Sequence, residues 1–290
     1  MAEDPRALLQ KADKTLQGAS GGFSFFSNKT EKFENAADLY TQAANGFRVQ
    51  KMDREAGKAF ERAAAVHANN LNEPDDAANS LAEAYKVYKR SAPEEGVRVL
   101  LKVVQHHISK GNFRRAAGYQ KDLGDLYKDH LNDDANALEA YEKAADWYLS
   151  DGAEAMANKY FVMVADLAAM AGDYYKAVEI FEKVARSYMV TNKFSVKENF
   201  MKAAMCHLAS KDLVATNRAL QSYCDLDPTF NSTREYHLLA DLTHAVEQGD
   251  QDAFGDLLFE YDKLIKLDRW KTHVFLHIKN NIEEAGEDFS

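Results

Sequence analysis

A large apolar residue followed three or four positions later by small or β-branched ones returns about every 20 residues along most of this chain. The copies are Tyr40 with Ala43 and Ala44, Phe60 with Ala63 and Ala64, Leu81 with Ala84, and Leu100 with Val103 and Val104. Tyr141 with Ala144 and Ala145, Phe161 with Val164 and Ala165, and Phe181 with Val184 and Ala185 follow, and Tyr119 stands in the gap. A helix and its turn occupy about 20 residues, so two copies make an antiparallel hairpin of about 40. The large residue of each copy fills a hole and the small ones let the next helix approach. The prediction is an all-α chain, a twisted solenoid of antiparallel helical hairpins, whose broad faces suit protein docking better than chemistry in a deep cleft.

Local signals place the helix ends. Asp4 can cap a first helix, with Pro5 at its first position and Leu8, Leu9 and Ala12 on one face. That helix is predicted to end near Gly18, and residues 18–29, rich in Gly, Ser and Phe, form the one clear break. Short turns at Asn72–Asp75, Ala92–Glu94, Lys110–Asn112, Asn132–Asp133, Ser150–Gly152 and Ala171–Asp173 punctuate the rest. The period weakens after Asn192. Helices starting near Ser195, Asp212, Ser232, Gln251 and Arg269 then carry larger apolar faces, including Phe254, Leu257, Leu258 and Tyr261, and Trp270, Val274, Leu276 and Ile278. The domains expected are a solenoid over 1–192 containing the 18–29 loop, and a C-terminal bundle over 193–290 that caps it and ends in an acidic tail.

Composition narrows the function. The net charge of -10 argues against a nucleic-acid binder. Two cysteines, Cys206 and Cys224, are expected to be buried thiols in a reducing cytosol. The acidic, polar start lacks the pattern of a secretory signal, and no apolar run reaches the length of a membrane span. Charge is unevenly spread. From Lys86 to Lys121 nine Lys or Arg face two acids, and from Asp241 to Ser290 twelve acids face five bases. That predicts two oppositely charged docking surfaces. Phe23, Phe25 and Phe26 lie outside any helical period. They either fold back as a cap on the first hairpin or insert shallowly into a bilayer, a reversible anchor that needs a second signal.

Catalytic patterns are absent: no phosphate loop, no Gly-x-Ser-x-Gly, no Cys-x-x-Cys. His273 and His277 have a spacing that can bind zinc, but amid Val274, Phe275 and Leu276 they are expected to be a packed and solvated edge. His106 and His107 are expected to be surface charge. No enzyme activity, cofactor or metal is expected.

With these residues in view, the chain resembles the soluble attachment factors for the NSF ATPase, the SNAP family, in particular its alpha-type members from fungi. The resemblance rests on Ser24-Phe-Phe-Ser27, Ala56-Gly-Lys-Ala-Phe60, Gly111-Asn-Phe-Arg-Arg115, Ala157-Asn-Lys159 and Phe194-Ser-Val-Lys197. Asp227-Pro-Thr-Phe230, Ser232-Thr-Arg-Glu235, Glu260-Tyr-Asp262 and Leu267-Asp-Arg-Trp270 carry it to the acidic end. It implies TPR-like hairpins, a cytoplasmic, peripheral membrane protein, and an adaptor that binds post-fusion SNARE bundles and brings the hexameric ATPase to unwind them. By the same resemblance Arg114, Arg115, Lys159, Lys197 and Arg234 face the SNARE bundle, while Phe23, Phe25 and Phe26 stay the membrane-contact candidates on the composition of their loop. Glu283, Glu284, Glu287, Asp288 and Phe289 face the ATPase, with Asp241, Glu247, Asp250 and Asp252 as the alternative surface. Two positions depart from the family: Gly118 stands where animal members carry a basic residue, and Phe289 where the family has a penultimate leucine. A generic TPR-like interaction scaffold is the other reading, and a helical metal enzyme a third.

Overall fold

The computed structural model describes residues 3–20 and 26–287, with side chains for 3–19 and 29–282. Fourteen α-helices fill the described residues: α1 (Pro5–Ser20), α2 (Phe26–Val49), α3 (Asp53–Val66), α4 (Pro74–Ser91), α5 (Pro93–Ser109), α6 (Phe113–His130) and α7 (Asp134–Ser150), then α8 (Glu154–Met170), α9 (Tyr174–Tyr188), α10 (Lys193–Ala209), α11 (Leu213–Leu226), α12 (Arg234–Gln248), α13 (Gln251–Leu264) and α14 (Arg269–Glu287). A π-helical turn, His67–Leu71, extends α3, and a short 3-10 turn, Phe230–Ser232, precedes α12. The chain is thus all-α among the described residues, a succession of helical hairpins.

Chain contacts divide it into two compact units, Met1–Ala157 and Asn158–Ser290. The expected division at 192 falls inside the second unit, at the N-cap of α10. In the first unit each helix packs mainly on its sequence neighbours, α1 on α2 through to α6 on α7. In the second, α10 is central, packing on α9, α11, α12 and α14. That position explains its face pattern: α10 is buried nearly all round, from Val196 and Phe200 to Met205 and Leu208.

The small residues of the repeat are what the sequence predicts. Ala43, Ala44, Ala63, Ala144, Ala145, Val164, Ala165, Val184 and Ala185 are fully buried. Two large positions differ. Leu81 is only partly buried, and Tyr85 and Tyr88 take its place in the core; Tyr119 is partly buried, and Leu123 and Leu126 fill the core of α6. Buried phenols tie neighbouring helices by donating to carboxylates: Tyr40 to Asp13 at 2.6 Å, Tyr88 to Glu61 at 2.8 Å, Tyr141 to Asp125 at 2.8 Å and Tyr223 to Glu182 at 2.8 Å. Each meets the need of a buried hydroxyl for a partner. Burial, reinforced by Asp13, pushes the Tyr40 phenol up to about 12, so it stays a donor at any ordinary pH.

Helix starts follow side-chain capping. The side chains of Asp133, Asp173, Asn192, Asp212, Thr233 and Asp250 each accept the backbone N–H three residues on. At the N-terminus Asp4 accepts from the Arg6 amide at 3.1 Å, as predicted.

The loop expected over 18–29 is corrected at both ends, because α1 runs to Ser20 and α2 begins at Phe26. Ala19 is buried and holds the last turn of α1 in place, while a side chain at Gly18 would meet nothing, so that glycine ends no helix. Phe23 and Phe25 lie outside the described residues, as does the side chain of Phe26. Leu276, expected on the inner face of α14, is exposed; Val274, Phe275, Ile278 and Ile282 form that face.

Candidate docking surfaces

Of the cations between Lys86 and Lys121, Arg98, Lys110 and Arg114 are answered by acids outside their own helix, and Lys86 and Lys121 by acids of the same helix. Arg98 binds Glu61 at 2.7 Å and Glu95 at 2.6 Å; Lys110 lies 3.4 Å from Asp75; Arg114 donates from Nε to Asp151 at 2.6 Å; Lys86 meets Glu83 at 2.5 Å. Lys121 is paired with both Asp122 and Asp125. Burial disfavours the Lys121 ammonium, yet the two carboxylates outweigh it and hold its pKa above the usual lysine value. Arg90, Lys102 and Arg115 are exposed and have no ion pair among the described residues. The basic middle of the sequence is therefore a smaller set of free cations, on α4, α5 and the first turn of α6.

His107 is a correction: it is buried, not a surface charge. Its ring stacks on Tyr119 with centroids 5.4 Å apart and planes within 6°. Burial, then the charges of His106 and Arg115, lower its pKa, so it is a neutral packing group. His106 turns the other way and shares a 2.7 Å hydrogen bond with Asp75.

In the second unit, Lys159 is exposed on α8, its Nζ 5.5 Å from the Tyr160 ring. Its neighbour Asn158 is buried and donates to Ser187 on α9 at 2.8 Å, fixing the helix at that point. Lys197 is held inward: it pairs with Glu235 at 2.9 Å, and Glu235 is only 8% exposed. Arg234 is exposed at the first residue of α12, where the helix dipole disfavours a cation. Beside Lys197 the α9–α10 turn exposes Val190 and Phe194, 96% and 70% accessible. Sequence reading passed over this apolar pair; an aromatic at the start of a helix, three residues before a lysine, was its only signal.

Of the acidic candidates, Asp241, Glu247, Asp250 and Asp252 are all exposed near the α12–α13 turn. Glu247 accepts from Asn217 at 2.9 Å, and Asp250 caps α13 by accepting from the Ala253 amide at 2.9 Å. Next to them α10, α11, α12 and α14 surround a groove of about 530 Å³, with Leu208, Leu213, Val246, Ile278 and Ile282 in its walls. The side chains of Glu283, Glu284 and Glu287, and the whole of Asp288 and Phe289, lie outside the described residues.

Cys206 is buried, and burial raises its thiol pKa far above the usual value; Cys224 is half-buried rather than buried. His277 tilts against Tyr174 at 5.5 Å, and His273 is exposed. Among the described residues only His67, Glu73 and Asp76 bring potential ligand atoms within 4.8 Å of one another. His67 and Glu73 already share a 2.8 Å hydrogen bond there, and both acids sit where the start of α4 favours negative charge. No described helix is long and apolar enough to cross a membrane.

Stacked helical hairpins, exposed cations on several of them and acids gathered at one turn are the construction of a helical-repeat docking protein. The sequence model of "Soluble NSF attachment protein, SNAP" matches residues 3–283, and the chain belongs to that family. It is 48% identical to the probable vesicular-fusion protein sec17 homolog of Neurospora crassa, over 100% of both chains. It is 37% identical to the alpha-soluble NSF attachment protein of Saccharomyces cerevisiae, covering 98% of this chain and 99% of that one. The human alpha-soluble NSF attachment protein is 33% identical, over 97% and 96% of the two chains.

Proposed function

We propose that this chain is an adaptor in vesicle fusion and intracellular transport. It binds the acidic four-helix bundle of a post-fusion SNARE complex, recruits the NSF-type hexameric ATPase and stimulates it to unwind the bundle with ATP. Family membership across residues 3–283 carries the reading. The exposed cations of α4–α6 support it, since a highly charged partner is met best by charges that are not already paired.

Within it, Arg115, Lys159 and Arg234 are the primary contacts to the bundle. Arg114 contributes while sharing its charge with Asp151, and Lys197 contributes by fixing the start of α10 beneath Phe194. Phe23, Phe25 and Phe26 dip into the membrane that holds the SNAREs, on its cytosolic face. The ATPase is met by the acids of the α12–α13 turn and by the tail, Glu283 to Phe289. We place the boundary between the repeat array and the C-terminal bundle at Asn192, where the repeat period ends.

The test is reconstituted disassembly of a SNARE complex by an NSF-type ATPase and ATP. Adding this protein is expected to start disassembly that the ATPase alone does not perform. A rate unchanged by its addition refutes the reading.

A further inference from the structure

Among the described residues, six glycines sit inside helices of the first unit; Gly46, Gly57, Gly96 and Gly124 each have a close neighbour that explains them, and Gly18 lies in the last turn of α1. A Cβ built on Gly57 would stand 2.3 Å from the Tyr88 ring, and one on Gly124 would stand 2.5 Å from Tyr141. Gly118, in the middle of α6, has no such reason. The only atom near a Cβ there is the Tyr148 hydroxyl, at an ordinary 3.6 Å. A mid-helix glycine destabilises by about 1 kcal/mol relative to alanine, so one that admits no neighbour of its own chain leaves a vacancy unexplained by packing.

That vacancy is the floor of an open hollow of about 370 Å³, lined by Arg115, Gly118, Tyr119, Lys121 and Asp122. Its walls are held from behind. Tyr119 is stacked on the buried His107, and Lys121 is clamped by Asp122 and Asp125. The Lys121–Asp122 pair cancels, which leaves the exposed guanidinium of Arg115 as the net charge at the rim. Rigid walls lower the ordering cost of binding. A hollow with an aromatic wall, a bare glycine in its floor and a guanidinium at its rim suits a side chain with a short apolar stem and a carboxylate end.

We propose that the hollow over Gly118 is a socket for one acidic side chain, projecting from a helix of the partner bundle, whose carboxylate is bound by Arg115. The inference rests on the SNARE-bundle reading above and adds a shape requirement to it: the partner is recognised by insertion as well as by charge across a surface.

The experiment measures binding of the intact protein to a purified SNARE bundle, with thermal denaturation as the control for folding. Gly118→Ala is expected to raise the denaturation midpoint and weaken binding. Gly118→Leu fills the hollow without changing charge and is expected to weaken binding about tenfold. Because Gly118→Leu and Arg115→Ala would disturb the same inserted side chain, their combined loss is expected to be smaller than the sum of the two. A folded Gly118→Leu protein that binds within about twofold of the parent overturns the socket and leaves the adaptor reading standing. Strictly additive losses overturn Arg115 as the carboxylate's partner. A parent protein that does not bind the bundle overturns the adaptor reading, and the socket with it.

Discussion

The ring of Tyr88 lies against the backbone of Gly57, so close that a Cβ built on the glycine would stand 2.3 Å from it. The same phenol donates to Glu61, one turn further along α3. The pair sets how closely α3 and α4 approach. Gly57→Ala gains about 1 kcal/mol of helix propensity, yet overpacking a core commonly costs about 1–3 kcal/mol. Urea denaturation is expected to show a net loss of stability, partly restored by Tyr88→Leu in the same chain. A stabilised Gly57→Ala protein would mean that the helices separate at no cost.

The charges of the bundle-facing surface are mostly exposed, and each such pair contributes only about 0.2–1 kcal/mol. Affinity then comes from their number and is screened by salt. Replacing Arg114 and Lys159 together by Glu is expected to weaken SNARE-bundle binding with helicity unchanged. Asp151→Asn, which releases Arg114 from its 2.6 Å partner, is expected to strengthen it. Unchanged low-salt binding by the double variant would remove both residues from the surface.

For the phenylalanine loop, changing Phe23, Phe25 and Phe26 to Ser is expected to slow disassembly of liposome-anchored SNAREs far more than of soluble ones. Three buried phenylalanines at about 1.5–3 kcal/mol each make a reversible anchor. An equal loss in both assays would make these residues a cap on the first hairpin.

In the proposed ATPase contact the tail's work divides between charge and shape. Asp288 would speed encounter with a basic partner, while Phe289 would fill a pocket, and such anchors dominate interface energy. Phe289→Ala is expected to lower stimulated ATP turnover more than Asp288→Asn does, to spare SNARE binding, and to persist at moderate salt. Phe289→Leu is expected to be tolerated. Full stimulation by Phe289→Ala would shift the contact to Asp241, Glu247, Asp250 and Asp252.

Glu182 gives a prediction in pH. His207 beside it, then the hydroxyl of Tyr223 and the guanidinium of Arg186, outweigh burial and hold its carboxyl down to about 2. A depressed folded-state pKa stabilises the fold above the unfolded value and loses that contribution as pH falls through the folded one. Against an ordinary glutamate near 4.5 this corresponds to about 3 kcal/mol. Glu182→Gln is expected to be markedly less stable at neutral pH, with the gap from the parent narrowing from about pH 5 and closing as pH falls through about 2. A pH-independent gap would assign the glutamate's role to shape.

Helix order, caps and turns were legible in the sequence because they are written locally. Asp212 three residues before Ala215, or Gly111 with its φ of 71° after α5, needs no tertiary context. The fate of the charges was not legible. Arg98 finds Glu61 and Arg114 finds Asp151, each 37 positions away, because a neighbouring hairpin brings back a distant stretch of chain. A local count from Lys86 to Lys121 cannot see those acids. His107 misled for a related reason: next to His106 it reads as one of a polar pair, but a helix turns adjacent residues about 100° apart, and this one met Tyr119 inside. Gly118 was legible only as a substitution; that nothing fills its place required coordinates.

The mainly neighbour-to-neighbour packing of the first unit has a mechanical consequence. With α1 held by α2, α2 by α3 and onward, and the ties between next-but-one helices few, such as Arg98 on α5 to Glu61 on α3, deformation spreads as small rotations over the interfaces in series. Such a stack is compliant along its length and stiff within each layer. A rod-like partner gripped by several layers at once acts as a splint: it suppresses those rotations together, and a pull applied at one end then reaches the far layers with little slack.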